Sequence, residues 1–157
     1  MEKIALILIG ILLSGSFPGT NNSTLDDLCL AKSDAEKILG SAARQTESET
    51  LNDKGVVVHK CTWRASNETL NSNLYYVGEQ YDNAEAAHKV FADIVTSNTG
   101  TGQSRPNIGD EAWFHSDDTN FCIIIVRKGS KMIRMKVSKL TKETSVNEMK
   151  RVASAWE

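Results

Sequence analysis

The sequence predicts an α+β domain in which three helices pack on a single, mostly antiparallel sheet of five strands, in the order αββαβββα. Residues 110–140 read as three consecutive strands, and the middle one is the most apolar segment of the mature chain. Three helix starts share a capping-box pattern, in which an acceptor side chain precedes a glutamate by three residues. They are Ser33 with Glu36, Asp82 with Glu85, and Ser145 with Glu148. A hairpin pattern within 56–77 supplies the other two strands.

The first 16 residues have the pattern of a secretory signal peptide. A short charged start is followed by Ile4 to Leu13, which are apolar apart from Gly10, and then by the small residues 14–16. A membrane-spanning helix needs about 20 apolar residues, so this pattern predicts no stable transmembrane anchor. Residues 17–28 are predicted to form a flexible leader, and 29–157 the single mature domain. The chain is therefore predicted to be exported, and to be periplasmic or secreted after cleavage.

Leu13-Ser14-Gly15 resembles the start of a bacterial lipobox, but Ser16 stands where the lipid-bearing cysteine would be. Without that thiol no thioether to a lipid can form. The sequence leaves open whether the protein is naturally unlipidated or whether a cysteine has been replaced.

Each of the three predicted helices carries an apolar stripe at helical spacing. Helix one spans about 33–41 and ends near Gly40, helix two spans about 83–97, and helix three spans about 145–156. The stripes predict that all three helices pack against the sheet.

Five strands are predicted between these helices, at 56–63, 70–77, 111–115, 121–127 and 131–139. The strand 121–127 is apolar on both faces, which predicts a place in the sheet centre or under helices on both sides. In the next strand, alternation predicts that Ile133 faces inward and Met132 outward. Residues 129–130 suit a two-residue hairpin turn with glycine first.

Three cysteines are present, which leaves one unpaired if a disulfide forms. Cys122 lies inside the apolar strand, where a small buried thiol packs well. The prediction is a Cys29–Cys61 disulfide with Cys122 free and inert. Closing a loop of about 33 residues would stabilise the fold by about 3–4 kcal/mol in the chain-entropy account.

Three segments together carry a family resemblance. They are Cys29-Leu30 ahead of Asp-Ala-Glu-x-Ile-Leu-Gly at 34–40, Cys-Thr-Trp at 61–63, and Ile-Gly-Asp-Glu-Ala-Trp-Phe at 108–114. The chain resembles a family of small exported bacterial proteins, best represented by actinobacterial lipoproteins of uncharacterised function. The resemblance implies an envelope location and a Cys29–Cys61 bond, and it brings no catalytic residues. The absence of the lipid-bearing cysteine departs from the lipoprotein members.

Charge and composition argue against some partners. The formal net charge is −2, so no electrostatic footprint for nucleic acid stands out. Basic residues gather between 127 and 139, and the predicted reason is a solvated outer strand face.

The densest polar cluster is a candidate for metal binding or acid–base chemistry. Its carboxylates are Asp110, Glu111, Asp117 and Asp118, and His115 lies among them. On one strand face, Glu111 and His115 would be about 13 Å apart, too far to bind one ion. The last two aspartates better suit a turn in which they bond to their own backbone.

Candidates for ligand binding are Arg105, Trp113 and His115. Arg105 lies in the long segment 98–109, which suits either a mobile connector or a binding loop for an anionic group. His59 shares a strand face with Cys61, which predicts a partly buried, hydrogen-bonded histidine and not a metal ligand.

The predicted function is that of a non-catalytic exported domain of the bacterial cell envelope, which binds an envelope protein or a small ligand. The alternative is a small metal-dependent hydrolase that uses the region Asp110–Asp118. A third possibility is an inhibitor or immunity-type protein, which would purify together with a protein partner. No cofactor and no catalytic residue is predicted.

Overall fold

The computed structural model describes residues 29–98 and 100–156, in which three helices and seven strands follow the order αβββαββββα. The helices are α1 (Lys32–Leu39), α2 (Ala84–Ser97) and α3 (Val146–Ala155). The strands are β1 (Ala43–Asp53), β2 (Val56–Ala65), β3 (Asn73–Gln80), β4 (Gln103–Ser104), β5 (Glu111–Ser116), β6 (Phe121–Lys128) and β7 (Lys131–Ser138). The predicted signal peptide (1–16) and leader (17–28) lie outside the described residues.

The α+β class and the three helices are as predicted, but the five-stranded sheet and the element order αββαβββα are wrong. One seven-stranded sheet has the order β1-β2-β3-β7-β6-β5-β4, and every neighbouring pair is antiparallel. The two missed strands are β1, between the first helix and the first predicted strand, and the two-residue β4.

The polarity of β1 explains why it was missed. Ten of its 11 residues are exposed and Ala43 alone is buried, so no alternation of apolar side chains marks the strand. Its hydrogen-bonded ladder with β2 holds it in place along its whole length, with an irregularity between Gln45 and Glu47. Lys54 and Gly55 connect the two strands at φ of 50° and 87°. These values are typical of a two-residue hairpin turn, in which both central residues are left-handed.

Helices cover both faces of the sheet. On one face, α1 and α3 pack over a large core to which β2, β3, β5, β6 and β7 contribute alternate residues. On the other face, α2 packs over β6 and β7 through a smaller core that includes Phe91, Trp113 and Ile125. As its apolar pattern predicts, β6 lies under helices on both sides. Met132, predicted to point outward into solvent, is fully buried in the core beneath α2.

The helix ends agree with the capping patterns in part. The Ser145 side chain accepts a hydrogen bond from the backbone N–H of Glu148 at the start of α3, as predicted. At the start of α2 the predicted cap Asp82 is wrong, because the side chain of Asn83 accepts the hydrogen bond, from the backbone N–H of Ala86. For α1 the predicted start at Ser33 is wrong, because the helix begins at Lys32 and no side-chain cap is formed.

The predicted Cys29–Cys61 disulfide is confirmed, with the two Cα atoms 6.2 Å apart. It ties the segment before α1 to β2. Cys122 is free and buried in the core between β6 and α3, with its Sγ 3.6 Å from Met149 Sδ. Among the described residues, no helix is both long enough and apolar enough to cross a membrane.

Candidate functional site

Asp110 and Glu111 lie at the start of β5, where both carboxylates are held by Arg127 of β6. Arg127 Nη1 donates to Asp110 Oδ2 at 3.1 Å, and its Nε donates to Glu111 Oε2. Asp110 also accepts from the backbone N–H of Gly129, and Glu111 contacts His88 Nδ1 at 2.8 Å. These carboxylates are therefore used in ion pairs that fix the end of the β5–β6 pair.

Asp117 and Asp118 lie in the turn beyond the other end of β5. The Asp117 carboxylate accepts backbone N–H bonds from Phe121, Asn120 and Thr119. The backbone bond from Phe121, followed by the Asn120 side chain, holds the pKa of Asp117 well below its usual range. With about 20 Å of strand between the two pairs, the structure does not bring the four carboxylates to one point.

The predicted ligand-binding residues occupy three different environments. Trp113 is 2% exposed and donates its Nε1–H to Gln103 Oε1 at 3.0 Å, so it belongs to the core beneath α2. His115 is partly exposed and contacts the rings of Trp113 and Phe121 edge-on. Arg105 is exposed and follows β4.

Part of the sheet face that carries α2 is open to solvent over β2 and β3. Tyr75 is 40% exposed there, whereas its neighbour Tyr76 is 4% exposed on the opposite face. We call this region the Tyr75 surface. Its residues are Lys60, Thr62, Arg64, Tyr75, Val77 and Lys136.

Strand register places Tyr75 among cationic side chains. Tyr75 is directly opposite Thr62 on β2 and Lys136 on β7. Lys60 and Arg64 flank Thr62 two positions away on the same face, which makes them diagonal neighbours of the ring. In the part of the chain that the structure describes, none of these three cations has a carboxylate partner within 4.0 Å.

Arg134, the remaining cation near Tyr75, is already paired. Its Nε and Nη2 donate to the two carboxylate oxygens of Glu79 at 2.9 and 2.7 Å. By contrast, the buried Nε–H of Arg64 has no acceptor among the described residues, although its Nη2 lies 3.4 Å from Asn71 Oδ1.

A second candidate region lies on the other face of β2, beside the disulfide. We call it the cystine cleft; it has a volume of about 500 Å³. Its lining includes Cys29, Lys32, Gln45, Ser48, His59 and Trp63. Gln45 Nε2 lies 3.5 Å from Cys29 Sγ.

Two ring nitrogens bordering the cystine cleft are unused. His59 is 4% exposed, and its Nδ1 lies 2.6 Å from Thr50 Oγ1 on β1. Its Nε2 and the Nε1 of Trp63 are buried and have no hydrogen-bond partner within residues 29–98 and 100–156. One ring nitrogen of His59 and the Sγ atoms of Cys29 and Cys61 all lie within 4.8 Å of one another.

Sequence reasoning missed both regions for the same reason, because each is assembled from different strands by register. The recognisable signals were local: Tyr75-Tyr76 must point to opposite faces, and His59-x-Cys61 must share one face. Neither pattern shows which face is left open or which residues lie opposite.

No protein-family model matches this chain, and no curated protein or solved structure matches it either.

Proposed function

We propose that the protein is a non-catalytic, exported domain of the bacterial cell envelope, which binds an acidic segment of another envelope protein through the Tyr75 surface. The observation that carries this proposal is the exposed ring of Tyr75 among the cations Lys60, Arg64 and Lys136, none of which has a carboxylate within 4.0 Å among residues 29–98 and 100–156.

The shape and composition of the surface suit a protein partner. Tyrosine and arginine are enriched where proteins contact each other, because they combine a large apolar area with hydrogen-bonding groups. The surface is an open strand face and not a concave pocket, so an extended peptide segment can lie across it. Val77 and the Tyr75 ring supply an apolar centre, and the cations surround it.

The charge of the surface specifies the partner's chemistry. Three cations without a carboxylate partner in the described chain favour a segment that carries aspartate or glutamate. A carboxylate placed beside Arg64 would give its unused Nε–H an acceptor. Glu47 and Glu49 on β1 border the cations, so the acidic groups of the partner are directed toward β3 and β7.

The exported location is supported by residues 1–16 and by the disulfide. The first 16 residues have the charged start, apolar stretch and small-residue end of a secretory signal. A disulfide is a bond that persists in oxidising compartments. The resemblance to small exported bacterial proteins gives the same location and leaves the partner open.

Site-specific crosslinking in the native envelope tests the proposal. A photoreactive benzophenone side chain replaces Tyr75 in one variant and Lys142 in a matched control, since Lys142 has 89% of its side chain exposed in the loop before α3. We expect a discrete protein adduct from position 75 and none from position 142. Equal crosslinking at both positions, or none at position 75, contradicts the proposal.

The crosslinked protein is then identified, purified and titrated against the intact domain. Tyr75→Ala should weaken binding about 30-fold, the effect of losing about 2 kcal/mol at an interface hot spot. Lys136→Glu should weaken it as well and reduce its salt dependence, whereas Lys142→Glu should change neither. Full affinity of Tyr75→Ala, or salt-independent binding of the unmodified domain, rules out this surface and this chemistry respectively.

A further inference from the structure

We propose that the reduced chain binds a zinc ion in the cystine cleft through Cys29, His59 and Cys61, with a fourth coordination position open to the cleft. The site is independent of the Tyr75 surface, because His59 and Cys61 point to the opposite face of β2 from Lys60 and Thr62. In the disulfide-bonded chain the sulfurs are joined to each other and the site does not exist.

The ligand geometry fits zinc. Two thiolates and an imidazole form a recognised tetrahedral zinc set in which a water or substrate holds the fourth position. Ligand atoms about 2.0–2.3 Å from such an ion lie about 3.4–3.8 Å from one another. One ring nitrogen of His59 and the two sulfurs already lie within 4.8 Å of one another, so once the S–S bond is broken, rotation of the His59 ring and of the cysteine side chains can bring the three groups to these distances.

Two of the ligands are placed by the pleat of one strand. His59 and Cys61 are two residues apart on β2, so both side chains point into the same face. Cys29 reaches them from the segment before α1, and its Cα lies 6.2 Å from that of Cys61.

His59 has the surroundings expected of a ligating histidine. A metal-bound imidazole commonly donates its second N–H to a nearby oxygen, which fixes the tautomer and the ring orientation. Thr50 Oγ1 lies 2.6 Å from His59 Nδ1 and can accept that bond. The lone pair is then on Nε2, the buried nitrogen that has no partner among the described residues.

The chemistry requires a dithiol reductant. Two electrons and two protons pass from the reductant to the Cys29–Cys61 bond, so that two thiols form and the reductant becomes a disulfide. Zinc then displaces the two thiol protons and binds both thiolates. Because Cys29 borders the cleft and is only partly buried, its Sγ is the atom that an incoming thiolate can attack.

The choice of metal follows from the ligands. Thiolate and imidazole favour zinc and softer ions over magnesium or calcium, which prefer oxygen ligands. The carboxylates of Asp110, Glu111, Asp117 and Asp118 are oxygen ligands of the kind that magnesium and calcium prefer, and they lie elsewhere in the fold.

Metal titration of the reduced and oxidised protein tests the proposal. The chain with Cys122→Ala, which has no third thiol, is reduced with a phosphine and titrated with zinc, and with cobalt as a spectroscopic substitute. We expect one ion per reduced chain, thiolate-to-cobalt charge-transfer absorption, and no binding by the oxidised chain. His59→Ala should weaken zinc binding by more than about 100-fold, beyond the effect of losing an outer-shell partner. Thr50→Val should weaken it about 10- to 100-fold at unchanged stoichiometry. His88→Ala, which replaces an exposed side chain of α2 on the other side of the sheet, should have no effect.

The result is decisive even if reduction unfolds the apo chain. In that case zinc should restore the far-ultraviolet circular dichroism of the folded protein, because binding and folding are then coupled. Absence of stoichiometric zinc binding overturns the proposal, as does a His59→Ala variant that binds as tightly as its parent.

Discussion

Loss of the disulfide gives the most direct test of how the described chain is held together. The perturbation is the double replacement of Cys29 and Cys61 by alanine. The cross-linked residues are 32 positions apart in sequence, and closing a loop of that length removes about 4 kcal/mol of unfolded-state entropy. Cys61 is 1% exposed, so deletion of its sulfur adds up to about 1 kcal/mol for lost packing. The expected decrease in the free energy of unfolding is therefore about 4–5 kcal/mol.

Urea unfolding monitored by circular dichroism measures this decrease, with the unmodified oxidised chain as reference. Cys122→Ala is the matched control, because it removes a buried thiol without opening a cross-link, and we expect it to cost about 1 kcal/mol. If the free energy of unfolding of the double variant decreases by less than about 1 kcal/mol, the disulfide does not restrict the conformations of the unfolded chain and the reasoning is refuted. An equal decrease in the control would show that sulfur packing, and not cross-linking, is responsible.

Three further predictions concern single residues. Gly102→Ala should cost about 1–3 kcal/mol in urea unfolding, because its φ of 77° is left-handed and an added Cβ would overlap a backbone carbonyl. Gly100 also has a positive φ, of 149°, but an added Cβ there would meet no atom within 4 Å, so Gly100→Ala carries the backbone strain alone and should cost less. The lowered pKa of Asp117 gives a stability contribution that is present above about pH 4 and is lost as the pH falls through the native-state pKa. Asp117→Asn should therefore flatten the acid limb of the stability–pH profile, and an unchanged limb would contradict this assignment. Burial raises the pKa of Cys122 to about 11, so a thiol reagent at pH 8 should label it no faster than the chain unfolds; rapid labelling of the native protein would show that the thiol is accessible.

How much of the sheet can be predicted from the sequence depends on which strands are buried. The strands β2, β3, β5, β6 and β7 carry apolar residues that the packing of helices requires, and all five were recognised. The strand β1 is exposed on both faces and is held by backbone hydrogen bonds to β2. Backbone hydrogen bonds leave no pattern in the side chains, so the sequence does not indicate this strand. The one local signal was the turn Lys54-Gly55, where a glycine follows two polar residues between stretches that could pair.

The candidate sites were harder to predict than the strands, because they depend on which side of the sheet a helix covers. By strand alternation Trp113 shares a face with the polar residues Glu111 and His115, which suggests a surface position. The helix α2 nevertheless packs over it and makes it part of the core. The same helix does not cover Tyr75, which stays 40% exposed. His59 is predicted to be hydrogen-bonded, and its Nδ1 does contact Thr50 Oγ1. That contact comes from β1, a strand the sequence does not indicate, so the sequence could not show which ring nitrogen is left without a partner among the described residues.

The pleat of β2 lets one strand contribute to two sites without coupling them sterically. Lys60 points to the Tyr75 surface and Cys61 to the cystine cleft, so occupants of the two sites are separated by the thickness of the sheet. Cys61 is fixed between Ser48 on β1 and Tyr76 on β3, whereas Cys29 precedes α1 and lies outside any strand. Opening the disulfide should therefore move Cys29 and its segment more than β2, because moving β2 would break two hydrogen-bonded ladders. The Tyr75 surface should accordingly keep its geometry whether the cysteines are joined to each other or hold a metal.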